Sequence, residues 1–255
     1  MEKLEFYTYR EFVDNAKNRK KHRNCTGDSS KTQGFGFTQT KSFEEAVSFA
    51  ENGWDLGLEK YKIEDGVMTS GTTHLNPSLA GCIPHVQNHI MGFPQQMYDL
   101  YDEREYNLPT LDLVVNLNCS GGVNSEDMLS FGKSIVKYIN YKASTHNIRL
   151  TGIFSLQWAK GTKVQVVTLK DFDESLVLNN IAFAFHPSFF RRIWFSVMEG
   201  KEYWRSGYGS NQAEYKKHSL GCLKGVKADK VIYFKSLMSL RKFDYEPEEI
   251  QDMIL

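Results

Sequence analysis

Aromatic residues interleaved with bases are the main chemistry-bearing signal in this chain. They occur in Phe189-Phe190-Arg191-Arg192-Ile193-Trp194-Phe195, in Lys201-Glu202-Tyr203-Trp204-Arg205-Ser206-Gly207-Tyr208-Gly209, and in Tyr215-Lys216-Lys217-His218. Single-stranded nucleic acid calls for this combination. Bases stack on flat side chains at roughly 1–3 kcal/mol each, while cations follow the phosphates. Arg191, Arg192, Arg205, Lys216 and Lys217 are expected at phosphates, and Tyr203, Trp204 and Tyr208 beneath bases. The stretch 199–219 is polar, glycine-containing and too irregular for a core, so its aromatics point to a contact surface. A second basic run, residues 17–31, holds six basic residues and one acid. Its Lys20, Lys21 and Arg23 would add phosphate contacts that depend on salt and not on sequence. The competing reading makes Phe190, Trp194 and Tyr203 core and the lysines a solvated face.

Hydrolysis is the third reading, after nucleic-acid binding and protein binding. Asp171, Asp173 and Glu174 could share protons or hold a metal, and His186 could act as a base, because histidine titrates near neutrality. Their spacing follows no diagnostic pattern, and His186 directly precedes Pro187, as a helix-entry residue would. His85 and His89 lie four apart without the acid of the metalloprotease pattern. Cys25, Cys82, Cys119 and Cys222 are scattered and form no CxxC pair, which argues against zinc and for reduced thiols. Gly121-Gly122 lacks the GxxxxGK[ST] pattern of a phosphate-binding loop. No cofactor is expected.

The elements that must carry these residues fall into two regions. Tyr9 to about Lys21 can be helical, with Phe12, Val13 and Ala16 on one side. Ser42 and Glu45 have capping-box spacing, Phe43, Ala46, Val47 and Ala50 recur at helical period, and Gly53 is a stop. Trp54 would fold back on that stripe. Residues 65–80 read as a loop, and 83–97 as a short helix and a turn broken by Pro84, Gly92 and Pro94. Beyond Pro109, Leu111–Leu117 suits a strand buried on both faces. Ser125 to about Tyr141 is a helix with Met128, Phe131, Ile135, Tyr138 and Ile139 inward. Ile148–Leu156 and Lys163–Leu169 are strands, with Lys160-Gly161 between them. Asp173–Asn179 is expected as a short helix and Ile181–Phe185 as a strand. Pro187–Met198 is a helix with proline in its first turn, and Val231–Phe234 a last strand. Strands alternating with helices predict an α/β fold, a mainly parallel sheet flanked by helices with room for one hairpin. The division expected is a mostly helical amino-terminal region over 1–104 with the basic segment, an α/β core over 105–240, and an acidic tail over 241–255.

In open α/β sheets ligands sit beyond the carboxyl ends of strands. The turn there reads Asn116-Leu117-Asn118-Cys119-Ser120-Gly121-Gly122. It resembles the metal-site turn of von Willebrand factor A domains, Asp-x-Ser-x-Ser, with Ser120 matching the last serine. Asn118 and Asn116 replace the first serine and the aspartate, and an amide cannot supply the charge that holds a hard cation. Asn116, Asn118 and Ser120 therefore form a partner or ligand turn without a metal.

Composition narrows the classes. The chain has 255 residues, 41% hydrophobic and 13% aromatic, so it is not disordered. No stretch approaches the roughly 18 apolar residues of a membrane span, and the start MEKLEFYTYR lacks the apolar core of a signal peptide. Thirty-one basic and 31 acidic residues cancel, but not locally: residues 186–235 hold ten bases and four acids, while 244–255 hold five acids and no base. Local potential is what steers a charged partner.

Pro84-His85-Val86, Gly92-Phe93-Pro94-Gln95-Gln96-Met97, His186-Pro187-Ser188-Phe189-Phe190-Arg191-Arg192 with Phe195 and Glu199, and Phe43-Glu44-Glu45-Ala46 leading to Gly53-Trp54 resemble segments of a family of phage-encoded proteins of unknown function. That resemblance implies work in the cytoplasm of an infected bacterium and no particular reaction. The expectation is a non-enzymatic accessory protein that binds single-stranded nucleic acid, DNA rather than RNA, in phage transcription or replication, alongside a phage polymerase or another replication or transcription protein. A protein-interaction module on a von Willebrand A-like core, including a host-defence antagonist or virion component, is the alternative.

Overall fold

A computed structural model describes residues 3–25, 27–61, 73–78, 83–84, 86–92, 94, 97–102, 108–119, 121–158, 161–202 and 230–234. Its centre is a five-stranded sheet in the order β1-β7-β6-β5-β8. The strands are β1 (Lys3–Thr8), β5 (Thr110–Asn116), β6 (Asn147–Trp158), β7 (Gly161–Lys170) and β8 (Lys230–Phe234). Three of the four pairings are parallel, and the β6–β7 hairpin is antiparallel. The protein is thus mixed α/β, with an open sheet flanked by helices. A separate antiparallel sheet, in the order β2-β4-β3, joins β2 (Thr73–Ser78), β3 (Ile83–Pro84) and β4 (Met97–Asp102).

Side-chain alternation explains the layering. Leu111, Leu113 and Val115 of β5, Leu150 and Phe154 of β6, and Val167 and Leu169 of β7 point to one face and join the main core. Val114, Ile153, Val164 and Val166 point the other way and form a smaller buried cluster. Both faces of β5 are therefore buried, as its continuous apolar run predicts. Asp112 and Arg149 sit opposite each other in register, and the guanidinium meets the buried carboxylate at 3.0 Å.

The helices on the main face are α1 (Tyr9–Lys17), α4 (Phe43–Asn52), α5 (Leu56–Tyr61), α7 (Ser125–Ala143) and α8 (Leu178–Ala184). A continuous helix from Pro187 to Glu199 joins them, π-helical over Phe189–Trp194 and closing as α9 (Phe195–Glu199). The short turns α2 (Ser29–Thr32) and α3 (Phe35–Thr38) lie between α1 and α4, and α6 (Val86–Met91) follows β3. The cap at Ser42 and the stop at Gly53 fall where the sequence places them, and α1 gains a cap at Thr8. Thr8 and Glu11 close a full capping box on α1. Ser42 accepts from the Glu45 amide, while Glu45 reaches back to the Lys41 amide. Gly53 ends α4 at φ +88°, a conformation that favours glycine, and a Cβ there would fall 2.9 Å from Asn180 Oδ1.

Several expectations change. Residues 3–8 are a strand of the main sheet, paired in parallel with β7. Phe12, Ala46 and Trp54 share one core with β5 to β7. Among the described residues, a division at 104 therefore does not separate two cores. Residues 73–78, expected as loop, form β2. Of the stretch Ile181–Phe185, expected as a strand, Ile181–Ala184 belong to helix α8 and Phe185 caps it; of the helix expected over Asp173–Asn179, residues 173–177 are irregular and only Leu178 and Asn179 are helical, as the start of α8. A five-residue apolar run fits a buried helix as well as a buried strand, so its pattern alone could not decide. No helix among the described residues is long and apolar enough to cross a membrane.

Candidate nucleic-acid interface

The 187–199 helix explains the first aromatic and basic signal. Every residue from Phe189 to Glu199 is buried. Its aromatic side packs on the sheet: Trp194 stacks on Phe154 at 5.2 Å and on Phe190 at 4.8 Å, and its indole donates to Gln165. The opposite side is polar and is covered by residues 16–40. Ser196 donates to the Ala16 carbonyl, and Ser188 to that of Thr38.

Arg191 and Arg192 are the centre of that cover, and here the expectation of phosphate contacts is corrected. Arg192 is 0% exposed. It donates to the carbonyls of Ser30, Lys31, Gln33 and Thr40 and to the Thr40 hydroxyl. Arg191 is 1% exposed and donates to the Phe37 and Val123 carbonyls and to Ser125, with its guanidinium 3.7 Å from the Phe37 ring centre. Backbone carbonyls that would otherwise be orphaned take the place of phosphate oxygens. The interleaving reflects a helix held between a sheet and a strap. A cue was available: Ser188, Arg192, Ser196 and Glu199 recur at helical spacing and form a single polar stripe.

Structural duties divide the second basic run. Lys17 pairs with Glu51 at 2.6 Å. Arg19 is buried between Asp28, at 2.6 Å, and Glu199. Lys20, Lys21 and Arg23 are exposed, and no hydrogen bond or ion pair joins them to another described residue. The run is fastened to the end of α9: the His22 amide donates to the Glu199 carbonyl at 2.9 Å, and a Cβ on Gly200 would lie 3.3 Å from Arg19 Cγ. The chain reaches Tyr203 three residues later. Tyr203, Trp204, Arg205, Tyr208, Lys216 and Lys217 lie outside the described residues, and so does Ser120.

The turn after β5 is a built strand connection. Asn116 and Asn118 are each 1% exposed. The Asn116 side chain accepts from the Asn118 amide, while Asn118 accepts from the Ser155 amide and donates to the Ser155 hydroxyl, tying β5 to β6. These amide oxygens are committed to the chain, and no group of three or more His, Cys, Asp or Glu among the described residues could hold a metal. The turn does not fit the hard-cation site of the domains it resembles. Cys119 is fully buried beside it, and burial pushes its thiol up to about 12 against the pull of Arg191.

His186 is no available base. It is 2% exposed, with Trp54, Phe49 and Phe183 against its ring, and its Nδ1 accepts from the Ser188 amide. Burial, helped by Lys60, lowers its pKa to about 3. A cleft of 390 Å³ opens at the carboxyl ends of β1 and β7, with Thr8, Arg10, Lys170, Glu174 and Asn180 in its wall. Its functional content is small: the Lys170 ammonium is bonded to the Ile148 and Asp171 carbonyls, and the α1 amides are already capped.

The architecture is that of an α/β protein with an open mixed sheet and a strap clasped across the buried 187–199 helix. Residues 2–253 match the family described as Domain of unknown function (DUF7192), and the chain belongs to that family. Comparison with curated proteins and with solved structures finds no match.

Proposed function

We propose that this protein binds single-stranded nucleic acid without catalysis, DNA in preference to RNA. One observation carries the reading. The three bases of the amino-terminal run that have no structural duty, Lys20, Lys21 and Arg23, are exposed, and their run is fastened through Arg19, Lys20 and His22 to Glu199 and Gly200, where the chain enters the second aromatic and basic segment. Two segments nearly two hundred residues apart thus start from one place. The first would meet phosphates through its cations. The second would add Arg205, Lys216 and Lys217 at phosphates and Tyr203, Trp204 and Tyr208 beneath bases. Arg191 and Arg192 have no part in it.

The finer readings belong with this proposal: a phage accessory protein of transcription or replication in the infected bacterial cytoplasm, working beside a polymerase or a similar protein, on a core that resembles a von Willebrand A domain. Anisotropy titration with labelled single-stranded DNA and RNA of about 20 nucleotides at two salt concentrations is the test. The expected result is binding that weakens with salt and weakens further on Trp204→Ala. Absence of binding at low salt overturns the reading.

A protein-interaction module is the second reading, and α6 favours it. Val86, Ile90 and Met91 are 62%, 77% and 68% exposed, a cluster of apolar side chains on one short helix. A stable partner recovered by pull-down, with no affinity for nucleic acid, would decide for it.

A further inference from the structure

We infer that Glu199 is the positioning residue of the basic run, holding Lys20, Lys21 and Arg23 in place for phosphates. This rests on the nucleic-acid reading above and adds to it a part for a residue that never touches the ligand. Glu199 is 0% exposed, and a buried carboxylate is costly unless it is paired and hydrogen-bonded. Among the described residues, its carboxylate meets the strap at two points. The carboxylate pairs with Arg19, and it accepts from the Ser30 amide at 3.1 Å and the Ser30 hydroxyl at 2.6 Å. Its own carbonyl takes the His22 amide at 2.9 Å.

These attachments bracket the free cations. Arg19 stands before Lys20 and Lys21, His22 stands between Lys21 and Arg23, and Ser30 stands beyond them. Residues 18–25 form no helix or strand that would fix their direction. The local turn in which the Cys25 amide donates to His22 orders only its own residues. Asp28 holds Arg19 from the strap side, which does not fix the run to the helix. Glu199 alone, among the described residues, joins the run to α9 through both its side chain and its backbone. Cations held in place lose less freedom on binding than cations on a loose chain, so the pairing acts on affinity through preorganisation.

The test uses the full-length protein and a fluorescein-labelled oligothymidylate of about 20 nucleotides, titrated by anisotropy across a salt series. Replacing Lys20, Lys21 and Arg23 with alanine is expected to weaken binding and to reduce the slope of log K against log salt by about 2, from three phosphates at about 0.7 each. Glu199→Gln keeps the shape of the side chain and loses its charge. It is expected to reduce that slope in the same direction, to weaken binding about tenfold at low salt, and to add little when combined with the triple alanine variant. Ser30→Ala, which removes one bond of the set, is expected to act in the same direction and less strongly, and it stands in if Glu199→Gln does not fold. Unchanged salt slopes in the folded Glu199→Gln and Ser30→Ala variants, with the triple variant weakened, overturn this inference and leave the nucleic-acid reading standing. A wild-type protein that does not bind the oligonucleotide overturns both.

Discussion

Arg192 and Lys20 show why a basic residue cannot be assigned a role from its charge alone. A guanidinium presents five donors in a fixed fork, and four backbone carbonyls with one hydroxyl satisfy those of Arg192. The lysines of the run are compact charges on long stems and stay in water. Burial has a second consequence at His186. Its folded-state pKa, near 3, lies below the ordinary value of 6.5, so the unfolded chain takes up a proton there that the folded chain does not. The stabilisation is therefore complete above about pH 6.5 and is lost as the pH falls towards 3. Between pH 7 and pH 5 the loss should be about 2 kcal/mol. Urea unfolding at the two pH values should show that difference, and His186→Asn, which can still accept from the Ser188 amide, should remove this part of it.

Elements meet at close contacts that propensity does not foresee. In α7, Gly132 faces α5 and the end of α8: a Cβ there would lie 2.6 Å from the Tyr61 hydroxyl and 2.8 Å from Phe185 Cβ. Alanine would gain about 1 kcal/mol in helix propensity. Overpacking against a backbone neighbour and a fully buried tyrosine costs roughly 1–3 kcal/mol. The second effect should win, because the Phe185 carbonyl, 3.1 Å away, cannot swing aside. Gly132→Ala is thus expected to lower the melting temperature although it improves the helix. Helix α7 was legible because 19 residues repeat the 3.6 period several times. Helix α8 was not, since its buried part, Ile181–Ala184, is apolar at every position and too short to show an amphipathic stripe.

At the scale of the whole molecule, β1 and α1 join the amino-terminal residues and the β6–β7 hairpin, about 150 residues away, into one core. Phe12 stacks on Phe154 at 5.7 Å, and β1 supplies the edge of the sheet. A fragment of residues 105–255 would expose that surface, and it should show no cooperative thermal transition by circular dichroism, whereas the full chain should. The zero net charge is also a property of the whole. It arises from cancellation between unlike segments and says nothing of the field around Lys20, Lys21 and Arg23.

Sequence alone determined what short-range pattern can encode. The cap at Ser42, the stop at Gly53, the doubly buried β5, the α7 stripe and the β6–β7 hairpin all follow from residues within a few positions of one another. Only the tertiary structure decided which bases face water. Arg191 and Lys20 differ in the chain that lies over them, and that chain comes from about 150 residues away, beyond the reach of any local period. Contacts with residues 30–40 withdrew Arg191 and Arg192 from the proposed interface, and a separate long-range contact, His22 with Glu199, fastens the run that carries Lys20, Lys21 and Arg23 to the end of α9.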